Sequence, residues 1–272
     1  MTTPRLKRHN FGNNHAYTID CDCGRYRKGD RHKAIGVTSA SGYAKDADIL
    51  INWSSRVTSE YAVNNWDKLA QLPPADRLSE IGSARWNVNR EAKVRGTRIH
   101  ALGDKVAHGV EVEVPDELRG PVEAYARFLD EWEFEAWATE TPCAHTRHGY
   151  AGTADAFGVL QKTGQRVLLD LKSGKGVYAD TALQLAGYRY SEIWQPNGPD
   201  SETATPEVDA VYVAHILPDA VRLLPVEVDE AQWRYFLYTV QVARWVMDAK
   251  EISPVGEAVF PEEFANGKGI AS

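Results

Sequence analysis

The sequence predicts an α/β fold in which a mixed central sheet is flanked by helices and carries a helical insertion. Three observations lead there. Residues 45–135 repeat apolar positions at helical spacing, as in Ile49, Leu50, Trp53, Val57 and Tyr61. From Glu135 the pattern changes to short apolar runs bounded by turn residues, which is how strands read. Two more helical stretches, about 180–194 and 229–249, then fall among those runs.

In chain order, residues 16–20 and 24–28 read as a short hairpin around Asp-Cys-Asp-Cys-Gly, followed by a turn-rich link at 36–42. A helix over 46–66 ends at Leu72-Pro73-Pro74. A second over 75–81 and a third over 87–107 follow, and Pro115 opens a fourth through Val122, Tyr125, Phe128, Leu129 and Trp132. Strands are expected at 137–143, 150–160 and 166–171, the last two joined by Lys162-Thr163-Gly164. After the helix over 180–194 comes a polar loop at 195–206, a hairpin at 208–216 and 220–228 around Pro218-Asp219, and a final amphipathic helix whose inward stripe is read as Trp233, Phe236, Leu237, Val240 and Trp245. The chain thus divides into a basic hairpin segment (1–44), a helical region (45–135), a core (136–250) and a loosely docked tail (251–272).

With 272 residues, 43% of them hydrophobic and 25% charged, the chain can bury a full core without disulfides. No apolar run reaches the length of a membrane span, and the first residues lack the apolar stretch of a signal peptide, so a cytoplasmic protein is expected. Three cysteines, Cys21, Cys23 and Cys143, suit reduced thiols better than a disulfide framework. Cys143 with His145 and His148 is a conceivable metal cluster, but ordinary surface-loop residues are the favoured reading. The net charge of −7 argues against a protein that coats nucleic acid by bulk electrostatics. Basic residues are nonetheless concentrated over 1–33, where eight of them, Arg8 and Lys33 included, face three acidic ones.

The chemistry is concentrated between Gly152 and Tyr188. Gly152-Thr153-Ala154-Asp155 precedes a strand ending Leu169-Asp170-Leu171-Lys172. Residues two apart on a strand share a face, so Asp170 and Lys172 point one way and Leu171 points into the core. A tight turn before that strand brings Asp155 within about one residue of them on its neighbour. Two carboxylates and an ammonium are what metal-assisted phosphodiester hydrolysis uses: oxygen ligands for Mg²⁺ or Mn²⁺, with the Leu171 carbonyl as a further ligand, and a fixed positive charge by the phosphate. Gln184 and Tyr188, four apart, share a face of the helix that follows.

This series resembles the RecB-like branch of the PD-(D/E)XK nucleases, in which a Gln-x-x-x-Tyr pair follows the Asp-x-Lys strand. Arg95-Gly96-Thr97-Arg98-Ile99-His100 resembles the upstream histidine motif of the branch, and Glu140 stands where relatives commonly carry an acidic residue. The match covers residues 95–190 and keeps the order of the family's motifs. It implies a restriction-endonuclease-like core in which His100, Asp155 and Asp170 bind metal, Lys172 is the catalytic lysine, and Gln184 and Tyr188 steady the lysine or the DNA. Glu140 would join the catalytic set. Without the resemblance, His100 would read as a helix histidine at a core margin.

Within this branch the chain resembles phage-encoded, CRISPR-associated-type exonucleases. Many of these hold an iron–sulfur cluster through four cysteines, three of them near the C-terminus. No cysteine follows Cys143 here, so no cluster is expected. The resemblance implies an Mg²⁺- or Mn²⁺-dependent exonuclease of phage recombination, repair or replication, acting on DNA alongside a recombinase or single-strand-binding protein. The rival readings are a structure-selective or restriction-like endonuclease and an inactive DNA-binding protein on a nuclease fold. Arg90, Lys93, Arg95 and Arg98 would track phosphates, or else form a solvated face; Trp53, Trp66 and Trp86 are read chiefly as core residues, with base stacking the alternative.

Overall fold

The computed structural model describes residues 4–258 and 260, except 13, 21, 23 and 25–29. It opens with a three-stranded antiparallel sheet of β1 (Leu6–Phe11), β2 (Asn14–Asp20) and β3 (Arg31–Lys33). The expected strand at 24–28 lies almost wholly outside the described residues. β2 pairs with β3 and, on its other edge, with β1, a strand that sequence analysis does not anticipate. Of the six residues of β1 only Leu6 is buried, so its composition is that of an exposed loop. Gly12, at φ 58°, makes the turn between β1 and β2.

β4 (Ile35–Gly36) leads directly into α1 (Val37–Ser41), and a 3-10 turn covers Gly42–Ala44. The expected turn-rich link is therefore a short helix. Val37 and Ala40, three apart, bury against the main core and hold that turn in place.

The helical region follows as α2 (Ala47–Asn64), α3 (Trp66–Ala70), α4 (Pro74–Ala107) and α5 (Asp116–Trp132). The two helices expected over 75–81 and 87–107 are a single helix of 34 residues. Gly82-Ser83 does not break it, because contacts from α2 and α3 span the weak point. Tyr61 Oη and Lys68 Nζ donate to Glu80 at 2.8 and 2.7 Å, the Arg77 guanidinium donates to the Leu69, Ala70 and Leu72 carbonyls, and Leu69 and Ala84 are buried. This arm stands away from the sheet, and its tryptophans are not core residues: Trp66 and Trp86 are exposed and Trp53 is half-buried.

The main sheet uses β5 (Phe134–His145), β6 (Tyr150–Leu160), β7 (Gln165–Lys172), β8 (Ile193–Trp194), β9 (Thr203–Ala204), β10 (Ala210–Ile216) and β11 (Val221–Pro225), interleaved with α6 (Asp180–Arg189) and closed by α7 (Glu230–Ile252). Its order is β11-β10-β7-β6-β5-β8-β9, with β4 on β6. β10 runs parallel to β7 and β4 parallel to β6, while the remaining pairs are antiparallel, so the sheet is mixed.

Helices cover both faces. On one, Ile99 of α4 and Val122, Tyr125 and Phe128 of α5 pack on Leu169 and Leu171. On the other, α1, α6 and α7 pack on Tyr150, Phe157 and Leu168 through Val37, Leu185, Phe236 and Val240. The helix expected over 180–194 stops at Arg189, and Ile193–Trp194 joins the sheet instead. Trp245, placed in the inward stripe of α7 by its spacing, is 60% exposed. No helix among the described residues is long and apolar enough to cross a membrane.

The contact between α6 and α7 depends on Gly187, where an added Cβ would stand 2.8 Å from the Phe236 ring and 3.0 Å from Val37. Gly→Ala inside a helix ordinarily gains about 1 kcal/mol. Here overpacking should outweigh that gain, and Gly187→Ala should lose ~1–3 kcal/mol in urea denaturation. A more stable variant would show that α6 and α7 do not pack this closely.

Candidate functional site

The site forms where one edge of β6 changes partner. β7 pairs with Ala156 to Leu160 of that edge, and β4 pairs with Tyr150 and Ala151. Neither covers residues 152–155. Ala156 stands opposite Leu169, so Asp155 and Asp170 are level one step beyond the last pair. Asp155 is fixed there by the Leu171 amide, which donates to its Oδ2 at 2.7 Å. The Leu171 side chain enters the core as expected.

On its opposite edge β6 meets β5, in a ladder whose register shifts between Ala136 and Ala138. Thr139 pairs with Ala156 and Thr141 with Ala154, leaving Glu140 facing Asp155. Glu140 has φ 46°, a left-handed conformation for a residue with a Cβ. Ala154 and Phe157 are three apart yet share one core, which a regular strand forbids. The irregularity turns Glu140 and Asp155 toward α4, as bulges beside functional sites do.

There they meet His100. Among the described residues, His100, Glu140 and Asp155 are the group whose potential ligand atoms all lie within 4.8 Å of one another. His100 Nδ1 is 3.8 Å from Asp155 Oδ2. One turn along α4, Asp104 accepts a hydrogen bond from the Thr139 hydroxyl and so ties the helix to β5 beside Glu140. Burial pushes the Glu140 carboxyl up to about 6, with help from the Asp155 charge. An imidazole and two carboxylates are donors that could hold a divalent cation.

Asp170, expected as a ligand, lies in a second group beside the first. It is 1% exposed, and its Oδ2 is ion-paired with Lys172 Nζ at 2.6 Å. Lys172 reaches Gln184 Oε1 at 3.4 Å, and the Gln184 amide nitrogen lies 3.4 Å from both Asp170 Oδ1 and the Tyr188 hydroxyl. The four side chains form a continuous row from β7 to α6. Burial pushes the Asp170 carboxyl up to about 6, against the opposing pull of Lys172. Burial also disfavours the Lys172 charge, but the Asp170 and Asp155 carboxylates outweigh it and hold the ammonium above the ordinary lysine range. Tyr188 is buried and its hydroxyl is held protonated by desolvation.

Both groups border a cavity of about 860 Å³, walled by β6, α4, α1 and the N-terminal sheet. Comparison with protein-family models and with curated proteins gives no match to this chain. Of the expected phosphate contacts, Lys93 lines the cavity, together with Tyr188. Arg95 is exposed outside it, Arg90 bonds to Asn87, and Arg98 pairs with Glu117 at 3.1 Å. Arg8 and Lys33 of the N-terminal sheet and Lys105 of α4 line it instead. The concentration of basic residues over 1–33 was the only sign of the first two. Tyr17, whose hydroxyl lies 2.6 Å from Thr153 Oγ1, anchors that sheet to the segment before Asp155.

Cys143 and His145 belong to β5 rather than to a surface loop. Cys143 is a buried thiol pushed up to about 12 by desolvation, hence unreactive. His145 stacks on Trp233 and, chiefly through burial, is pushed down to about 4. Cys21 and Cys23 lie outside the described residues.

Two predictions follow from these environments. In the ion-free protein, Glu140 and Asp170 hold protons more tightly than in an unfolded chain, where they titrate near 4. Stability should therefore fall as pH rises from about 4 to about 6, and a cation binding the carboxylates should offset the loss. The rise in melting temperature on adding Mn²⁺ should be larger at about pH 7.5 than at about pH 5, because protons compete for the ligands; equal shifts would count against the site. Separately, Glu140→Gly should raise ion-free stability by ~1 kcal/mol, through relief of left-handed strain, while reducing the Mn²⁺-induced shift in the same melts. An undiminished shift would remove Glu140 from the ligand group.

Proposed function

We propose that this chain is a divalent-metal-dependent DNA nuclease of the PD-(D/E)XK type, on a restriction-endonuclease-like core, and that it acts as an exonuclease. The observation that carries this reading is the meeting of His100, Glu140 and Asp155 beside the Asp170–Lys172–Gln184 row on one cavity wall. His100, Glu140 and Asp155 would hold the ion, with Asp170 next to them as the remaining carboxylate. An Mg²⁺ or Mn²⁺ ion in such a site supplies Lewis acidity and lowers the pKa of bound water.

The side chains then have distinct tasks. Hydrolysis joins a water oxygen to phosphorus, breaks one P–O ester bond and returns a proton to the departing oxygen. Lys172, held as an ammonium, offsets charge gathering on the phosphate oxygens and orients the water by hydrogen bonding. The Asp170 and Asp155 carboxylates beside it favour that ammonium form. Gln184 fixes both Lys172 and Asp170, and Tyr188 fixes Gln184. Arg8, Lys33 and Lys93 would receive flanking phosphates, which gives a basic rim around an acidic centre.

The cavity falls within the range of ~300–1,000 Å³ that suits a ligand of drug size, so it would take about one or two nucleotides of a single strand. That favours attack at a strand end over cutting within a duplex. The proposed setting is phage DNA recombination or repair inside a bacterial cell, beside a recombinase or single-strand-binding protein.

The purified protein should degrade end-labelled linear DNA in Mn²⁺ or Mg²⁺ and spare closed circles. Asp155→Asn and Lys172→Met should each lower the rate at least about a hundredfold with unchanged circular dichroism. Cleavage of circles would favour the endonuclease reading, and normal turnover in either variant would remove the site. The imidazole in the ligand group should favour Mn²⁺ over Mg²⁺, and His100→Ala should narrow that advantage in rates measured across both metals.

A further inference from the structure

Between the braced arm and the sheet, α4 crosses open solvent. Every residue from 85 to 95 is exposed, and the stretch is held at its ends, where Ala84 and Ile99 are buried. A helix that buries no face is usually one that bridges two parts of a fold. This bridge carries an uneven charge. Arg85, Arg90, Lys93 and Arg95 stand against the single acid Glu91, in a chain of net charge −7. The side-chain hydrogen bonds of Arg85, Arg90 and Lys93 go to neutral groups, those of Ser54, Asn87 and Asn14.

The two faces of the bridge differ. Trp86, Arg90, Lys93, Thr97, His100 and Asp104 advance in alternating steps of four and three, so they share an arc of about 80° on a helix of 3.6 residues per turn. From Lys93 onward these residues line the cavity. Trp86 and Arg90 therefore prolong the cavity wall outward, while Glu91 and Arg95 lie on the opposite side of the helix. Trp86 is 61% exposed, and the Arg85 guanidinium lies 4.6 Å from the centroid of its ring.

We infer that this face of α4 is a track for single-stranded DNA leaving the cavity, with a base stacked on Trp86 and phosphates received by Arg90 and Lys93. The inference deepens the nuclease reading and rests on it for the strand's route through the metal site. Charge selects an anionic partner, since the stripe holds no carboxylate between Trp86 and His100. The aromatic selects a single strand, whose unpaired bases offer a face to stack on, and the guanidinium beside the ring adds its own attraction for bases. From Trp86 to His100 the helix rises about 21 Å, which spans roughly six nucleotides at ~3.4 Å each.

Binding of a fluorescein-labelled oligothymidine of about twelve nucleotides tests this, followed by anisotropy with EDTA present so that no metal-dependent cleavage competes. Trp86→Ala should weaken binding about tenfold. Arg90→Gln should weaken it as well and lower the slope of log affinity against log salt by about 0.7. Arg95→Gln removes the same charge from the opposite face and should change the affinity less than about twofold. All three positions are exposed, so circular dichroism should be unchanged. In Mn²⁺, Trp86→Ala should raise KM for linear single strands and leave kcat, because the contact is equal in ground and transition states. Equal losses in Arg90→Gln and Arg95→Gln would mean attraction by bulk charge and overturn the track, as would indifference to Trp86→Ala or no binding at all. A duplex of the same length bound as tightly as the single strand overturns the choice of partner. The two readings fail separately. A protein that cleaves DNA but ignores Trp86→Ala and Arg90→Gln keeps its nuclease activity and loses the track; one that binds along the stripe yet cleaves in neither Mn²⁺ nor Mg²⁺ keeps the track as a binding surface and loses the nuclease reading.

Discussion

One edge of β6 is shared by two strands that do not meet, and the site exists because of the gap between them. β7 covers the C-terminal part of that edge and β4 the N-terminal part. The backbone between them is left open in the middle of a sheet whose faces are otherwise packed by helices, so a polar cleft enters where a continuous ladder would have sealed it. Asp155 stands at this point, and its carboxylate accepts the amide of Leu171 at 2.7 Å, a side-chain bond in place of the next step of the ladder. The close packing around the gap explains the Gly152 of the motif. An added Cβ there would stand 2.7 Å from the Tyr188 ring and 3.0 Å from Val37, so the small residue lets α6 and α1 approach the opened edge.

The gap is occupied by groups that are costly to bury. Asp170 is desolvated, Glu140 carries left-handed backbone, and three carboxylates stand close together. Such groups weaken a fold unless something pairs with them. Lys172 offsets part of this for Asp170, at 2.6 Å. The remaining excess of acid around His100 is what a divalent cation would neutralise. Stability given up at one place and supported by two large cores on either side is the usual economy of a reactive site.

Two regions of the helical surface expose large apolar side chains. The α2–α4 arm is held to itself by Tyr61, Lys68, Arg77 and Glu80 and carries exposed Trp66 and Trp86 without a regular seam. α7 is anchored along its inner face and its outer face is periodic.

Where the chain forms strands and helices was mostly legible in the sequence, because hydrophobic period is a local property. β5, β6, β7, β10, α2, α5 and α7 lie close to where their patterns place them, and the Asp155, Asp170, Lys172, Gln184 and Tyr188 series converges because strand and helix repeats fix which side chains share a face. What local pattern could not reveal depended on contacts far along the chain. α4 runs unbroken through Gly82 because α2 and α3 brace it; α1 is a helix because Val37 and Ala40 find a core; Trp245 faces outward because Phe236 and Val240 already fill the inner surface. Likewise Glu140 joins His100 and Asp155 through a break in strand alternation that no residue type announces. Arg8 and Lys33 reach the cavity through a sheet whose first strand has the composition of a loop. Sequence by itself determined which chemical groups could meet, since their spacing is covalent; only the tertiary structure decided which of them do, since that turns on where a β-sheet edge is left unpaired.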